Sequence, residues 1–165
     1  MSAYPVPPTA ETAGEAALSA ELEALKRKAV SPPLVTHIYT ADPSAHVFEG
    51  RLYIYPSHDI DAGTPFDDEG GHFGMVDYHV LRMDAPDGEV VDCGPALHVR
   101  DVPWAKRQMW APDAACRDGR YYFYFPAKDA DDIFRIGVAV GDRVVTFSLY
   151  KEGARVTYRP GIDDD

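Results

Sequence analysis

Slid over itself by about 70 residues without a gap, the chain repeats. Pro43 falls over Pro112, Gly50 over Gly119, Arg51 over Arg120, Tyr53 over Tyr122 and Tyr55 over Tyr124. Self-similarity at one fixed offset means one structural unit made twice, and such units bury their hydrophobic faces against each other. Around both copies apolar and polar residues alternate and turn residues recur at short intervals, which is the pattern of strands. The first copy offers runs at His46–Phe48, Arg51–Ser57, Phe73–Met83 and Glu89–Val99. The second offers Ala114–Arg117, Arg120–Ala127, Ile133–Val140 and Val144–Tyr150. Glu49-Gly50 and Asp118-Gly119 fit the tight hairpin between the first two runs of each set, and Ala85–Gly88 fits a turn between the last two of the first set.

Four short antiparallel strands per unit at this period are the signature of propeller blades arranged radially, with a β-sandwich of two unrelated meanders as the alternative. The expected fold is all-β, a partial β-propeller of about two blades with a short N-terminal helix. Three regions follow. Residues 1–33 hold Pro5, Pro7 and Pro8, then Leu18, Leu22 and Leu25 at helical spacing with Lys26, Arg27 and Lys28 late, an order that suits the helix dipole. Ser31, Pro32 and Pro33 stop that helix, because proline lacks a donor and restricts its predecessor. Residues 34–143 carry the two units, and residues 144–165 are an atypical tail.

Composition excludes several function classes. The chain has 165 residues, 45% of them hydrophobic and 12% aromatic, enough for a packed core. A formal net charge of −11 repels phosphate backbones, and the 16 basic residues are scattered, so neither nucleic acid nor an anionic membrane surface is an expected partner. No apolar run approaches a transmembrane length and no basic, then apolar, leader opens the chain, so a cytoplasmic location is expected. Cys93 and Cys116 lack the spacing of a zinc or redox pair and read as buried free thiols. His37, His46, His58, His72, His79 and His98 show no local metal-ligand spacing, and the acidic loop 61–72 lacks the order of a calcium loop. No metal and no cofactor is expected. The run Tyr121–Phe125 reads as a buried strand.

An acid stands near the start of each unit: Ala41, Asp42, Pro43 and Ser44 before the first, Trp110, Ala111, Pro112 and Asp113 before the second. The motifs TADPS at 40–44, HVFEGRLYIYPSHD at 46–59, RQMWAPD at 107–113 and RDGRYYFYFPAKD at 117–129, in this order and spacing, resemble glycoside hydrolase family 43. That family comprises five-bladed propeller β-xylosidases, α-L-arabinofuranosidases and arabinanases. The resemblance implies hydrolysis with inversion of xylose- or arabinose-containing oligosaccharides, in which two carboxyl groups stand about 6.5–9.5 Å apart to admit a water. It makes Asp42 the general base. A carboxylate held against proline has few conformers, which suits that role, although an aspartate there also serves as a plain turn cap. Trp110 offers a flat face for a sugar ring, and Asp113, His58 and Arg107 are candidate substrate contacts, with Gln108 beside them and Phe66 as a lid contact.

Beyond Asp142 and Arg143 the likeness stops. The family's general acid is a later glutamate assisted by an aspartate that opens the third blade. Asp163 falls near that aspartate's place, but Asp164 follows it where proline belongs. Glu152 sits in a polar Lys-Glu-Gly turn, where its pKa would not be raised, and is not assigned the acid role. The chain therefore reads as part of a longer hydrolase, truncated or frame-shifted near residue 143, with little activity alone. Open blade edges favour self-association. A non-catalytic carbohydrate-binding module of propeller origin is the other reading.

Overall fold

In the computed structural model, which describes residues 31–68, 70–149, the backbone of 155–157 and positions 20, 23, 24 and 27–29, the two repeated hairpins turn alike. Glu49 and Gly50 have φ of 52° and 75°, and Asp118 and Gly119 have 53° and 73°. Two successive positive φ values give the turn whose twist matches the flanking strands, and glycine takes the second place without steric cost. The registers agree as well. Phe48 faces Arg51 and Ser44 faces Tyr55 in the first hairpin; Arg117 faces Arg120 and Asp113 faces Tyr124 in the second.

Strands β1 (Tyr39–Phe48), β2 (Arg51–Asp61), β3 (Phe73–Met83) and β4 (Val90–His98) form one antiparallel sheet in sequence order. A 3₁₀ turn at Val99–Asp101, whose first free N–H groups include that of Arg100 bonded to the His98 ring, leads to β5 (Ala105–Arg107). Then β6 (Asp113–Arg117), β7 (Arg120–Asp129), β8 (Phe134–Arg143) and β9 (Thr146–Leu149) repeat the four-stranded meander. β5 adds to β7 and β10 (Arg155–Thr157) adds to β8, so the second sheet has six strands. Neither short strand carries enough alternation to be legible beforehand. By contacts the chain divides at residues 34 and 35. Ala20, Glu23, Ala24, Arg27 and Lys28 have helical backbone, and the remainder of the expected N-terminal helix lies outside the described residues.

The main core joins the two sheets. Tyr53 and Tyr55 of β2, Tyr78 and Val80 of β3, and Phe123 and Phe125 of β7 meet there with Met109, Ala139 and Phe147. Each buried aromatic of this kind contributes about 1.5–3 kcal/mol relative to exposure. The phenols are not orphaned: Tyr55 donates to the Val144 carbonyl at 3.0 Å and Tyr78 to the Pro126 carbonyl at 3.1 Å. Burial pushes both hydroxyls above their ordinary pKa. Tyr121 donates to Glu49 at 2.8 Å, so the hairpin turn of the first unit is tied to the second, and this bond is the main cause that raises the Tyr121 pKa to about 12. Behind the first sheet Ile54, Leu81 and Met83 form a smaller cluster with Val35, Leu52 and Val90. That cover is why β2 is buried on both faces between Tyr53 and Ser57.

Gly137 is opposite Phe125 in the β7–β8 ladder, and a methyl group added there would overlap the Phe125 ring. The ring is also stacked on Trp104, at 5.9 Å and 8° between planes, so it cannot swing aside freely. Gly137→Ala is expected to cost about 1–3 kcal/mol, measured as a fall in the urea midpoint at unchanged slope, as overpacking does. An unchanged midpoint would show that the ring has room to move.

Three expectations are corrected. β1 begins at Tyr39, so Asp42 lies inside the first strand and not ahead of it. The run Tyr121–Phe125 is not uniformly buried: Tyr121, Phe123 and Phe125 face the core, while Tyr124 on the outer face is exposed, as period-two alternation requires. Cys93 and Cys116 are free but exposed: each sits on a strand, β4 or β6, that is paired on one side only.

Candidate active site

The ladder between β1 and β2 passes from Ala41–Ser57 straight to Ser44–Tyr55. Asp42 and Pro43 therefore stand against the single residue Pro56, which is a β-bulge. Proline cannot donate to the ladder and so belongs at such a break. The Ser57 hydroxyl donates to the Ala41 carbonyl at 3.1 Å and pins the bulge from the neighbouring strand. Asp42 has φ 47°, in the left-handed region that aspartate tolerates better than most residues and that concentrates at functional sites. The bulge turns its side chain out of the alternation and leaves it exposed.

A second register shift, between His58 and Asp59 in the β2–β3 ladder, lies close by. Burial raises the Asp59 carboxyl above its ordinary pKa, and the nearby charge of Asp42 raises it further, against a smaller pull from His58. Two irregularities thus bring two acids into electrostatic contact. The fold favours neutral Asp59, so this contribution to stability is present below the ordinary aspartate value of 3.8 and is lost as pH rises through the raised folded value. Asp59→Asn, permanently neutral, is expected to be more stable than the parent chain at pH 7. The gain should vanish below pH 3.8, and denaturant titrations at the two pH values check it.

The other expected contacts are dispersed over neighbouring elements. Trp110, on the link from β5 to β6, donates its backbone N–H to the Pro126 carbonyl at 3.1 Å. Its indole is half-buried between Phe73 at 5.7 Å and Phe134 at 5.4 Å, and the row continues through His72 to Phe66, which is 78% exposed. Gln108 holds this loop in place. It is buried with φ 55°, and its amide donates to the carbonyls of Gly70 at 2.7 Å and Phe73 at 3.2 Å. Asp113 is exposed, and its Oδ1 lies 2.7 Å from His46 Nε2 and accepts from the Ala114 N–H, so it ties β6 to β1. Arg107 forms a two-pronged pair with Asp132, at 2.8 and 2.6 Å, and that bond holds the Asp132 carboxyl below its usual range. His58 Nδ1 is 2.8 Å from Asp77 Oδ1. Asp163 and Glu152 lie outside the described residues.

The repeat register also separates the two acids that the sequence set in parallel. The counterpart of Asp113 is Ser44, since both face the matching tyrosine of the next strand, and the residue matching Asp42 is Ala111. Only the first unit carries a carboxylate at the bulge. Sequence reasoning passed over Asp59, Asp77 and Asp92, whose relation to Asp42, His58 and His79 depends on strand pairing.

No protein-family model matches the chain. A xylosidase/arabinosidase 43A of Humicola insolens is 59% identical over 113 residues, 67% of this chain and 35% of that protein. A xylosidase/arabinosidase of Bacteroides ovatus is 57% identical over 111 residues, 67% of this chain and 34% of that one. Among solved structures, the GH43_1 enzyme from Xanthomonas citri complexed with xylotriose superposes with a TM-score of 0.71 at 63% identity, over 80% of this chain and 38% of that one. A GH43 β-xylosidase/α-arabinofuranosidase from a compost metagenome gives 0.69 at 68% identity, over 72% and 36%. The chain spans about a third of the length of the curated relatives it matches. Sequence identity and fold together group this chain with the family 43 glycoside hydrolases of the β-xylosidase/α-arabinofuranosidase type, of which it matches a part.

Proposed function

We propose that this chain carries the general-base side of an inverting glycoside hydrolase site acting on xylose- or arabinose-containing oligosaccharides, with Asp42 as the base. The observation that supports it most is the bulge at Asp42 and Pro43: it holds an exposed carboxylate at φ 47° within a segment well matched to xylosidases. A base needs a carboxylate that is ionised, fixed and open to water. Asp42 is exposed, and the bulge holds its backbone in the left-handed region. Trp110 and the aromatic row through Phe73 to Phe66 supply apolar faces on which the C–H face of a sugar packs.

Inverting hydrolysis also needs an acid on the opposite face of the sugar, and no described residue is assigned that task. The chain alone is accordingly expected to turn over aryl xylosides and arabinofuranosides at background rate. Calorimetry with xylotriose tests the binding half of the proposal. Heat of binding that is lost in Trp110→Ala supports it, and binding without hydrolysis is the behaviour of a carbohydrate-binding module. Turnover by the chain alone that Asp42→Asn abolishes overturns the incomplete-site reading.

A further inference from the structure

On the face of the first sheet turned away from the main core, polar groups continue the row begun by Ile54, Leu81 and Met83. Asp77 and His79 alternate along β3, and His58 stands opposite Asp77 on β2, so strand pairing brings the three to one face. One donor atom from each lies within 4.8 Å of the others. His58 Nδ1 is 2.8 Å and His79 Nε2 is 3.8 Å from Asp77 Oδ1. The side chains are 20%, 11% and 12% exposed, reachable by an ion yet shielded from bulk water.

His79 is oriented from behind. Its Nδ1 lies 3.0 and 3.1 Å from the two oxygens of Asp92, which also accepts from the Gly94 N–H at 2.8 Å and meets His37 Nε2 at 2.7 Å. A carboxylate at Nδ1 fixes the imidazole tautomer with the Nε2 lone pair free, and here Nε2 points toward Asp77 and His58.

We propose that His58, Asp77 and His79 form a divalent transition-metal site, with Asp92 as the carboxylate that orients His79. Two donors bound at about 2.1 Å to one ion sit roughly 3.0–3.4 Å apart, and the two measured separations bracket that range. Two imidazoles and one carboxylate suit zinc, cobalt, nickel or iron and disfavour calcium, which takes oxygen ligands. On binding, the metal replaces the direct contact between His58 Nδ1 and Asp77 Oδ1, and solvent completes its coordination. Occupancy would cross-link β2 and β3 one residue from Asp59. The inference stands apart from the glycosidase reading.

The test uses the full chain with Cys93→Ser and Cys116→Ser, stripped with a chelator and titrated with cobalt(II) alone. The expected result is one equivalent bound at micromolar concentration with visible d–d absorption, and displacement by zinc but not by a thousandfold excess of calcium. His79→Gln and His58→Gln should each weaken binding at least tenfold, Asp92→Asn about tenfold, as orienting carboxylates do, and His46→Gln should leave it unchanged. Circular dichroism confirms that each variant is folded. No saturable binding by the parent chain overturns the proposal independently of any variant. So does binding that survives His79→Gln and His58→Gln together.

Discussion

Asp42→Asn is expected to lower kcat on aryl xylosides by about 10²–10⁴ when residues 34–143 replace the matching segment of the xylotriose-binding Xanthomonas citri enzyme. The chimera supplies whatever this chain does not, so the loss reads the contribution of Asp42 itself. Asparagine is the right probe because the position is left-handed, at φ 47°, and asparagine tolerates that region as aspartate does. Folding stability should therefore stay within about 0.5 kcal/mol of the parent, while Asp42→Val should lose about 1–2 kcal/mol from backbone strain alone. A kcat within tenfold of the unsubstituted chimera would remove Asp42 from the base role and leave it as the corner of a bulge.

Phe123→Ala is expected to destabilise the chain by about 3–5 kcal/mol, a large share of the roughly 5–15 kcal/mol that holds a natural domain together. The ring is fully buried and touches Tyr78 at 5.1 Å, Tyr55 at 5.5 Å and Phe147 at 4.8 Å, so it joins β2 and β3 of one unit to β7 and β9 of the other. Truncation leaves a cavity lined by rings that are themselves fixed: Tyr55 and Tyr78 are hydrogen-bonded to carbonyls of the second unit and cannot collapse without breaking those bonds. Tyr124, next along the strand and exposed, is the internal control. Tyr124→Ala should cost less than about 1 kcal/mol. Urea denaturation followed by tyrosine fluorescence measures both, and equal costs would mean that the two units do not share a core.

Much of the fold was legible because strand signals in this chain are local. Alternation and the Glu49-Gly50 and Asp118-Gly119 turns depend on residues a few positions apart, and with the repeat offset they led to eight of the strands, although the part of β1 from Tyr39 to Ala45, which holds the bulge, was missed. β5 and β10 were not legible because each is three residues long and is held by a partner strand's free edge, which no local pattern announces. The exposure of Cys93 and Cys116 was missed for a related reason. Cysteine is usually buried, and only the sheet shows that β4 and β6 are paired on one side.

The candidate site divides along the same line. Asp42 and its proline were visible as a motif, whereas the bulge that aims the carboxylate exists only once Ala41 and Ser44 have found Ser57 and Tyr55 on β2. Arg107 and Asp113 looked like free polar groups in sequence, and pairing gave each a partner, Asp132 and His46. The six histidines showed no metal spacing along the chain, because the spacing that matters runs across β2 and β3. Sequence by itself determined the repeat, the turns and the family likeness, since covalent neighbours set local backbone preferences. Only the tertiary structure decided which acids and imidazoles meet, because ladder register, and the bulges that shift it, bring together groups that the chain keeps far apart.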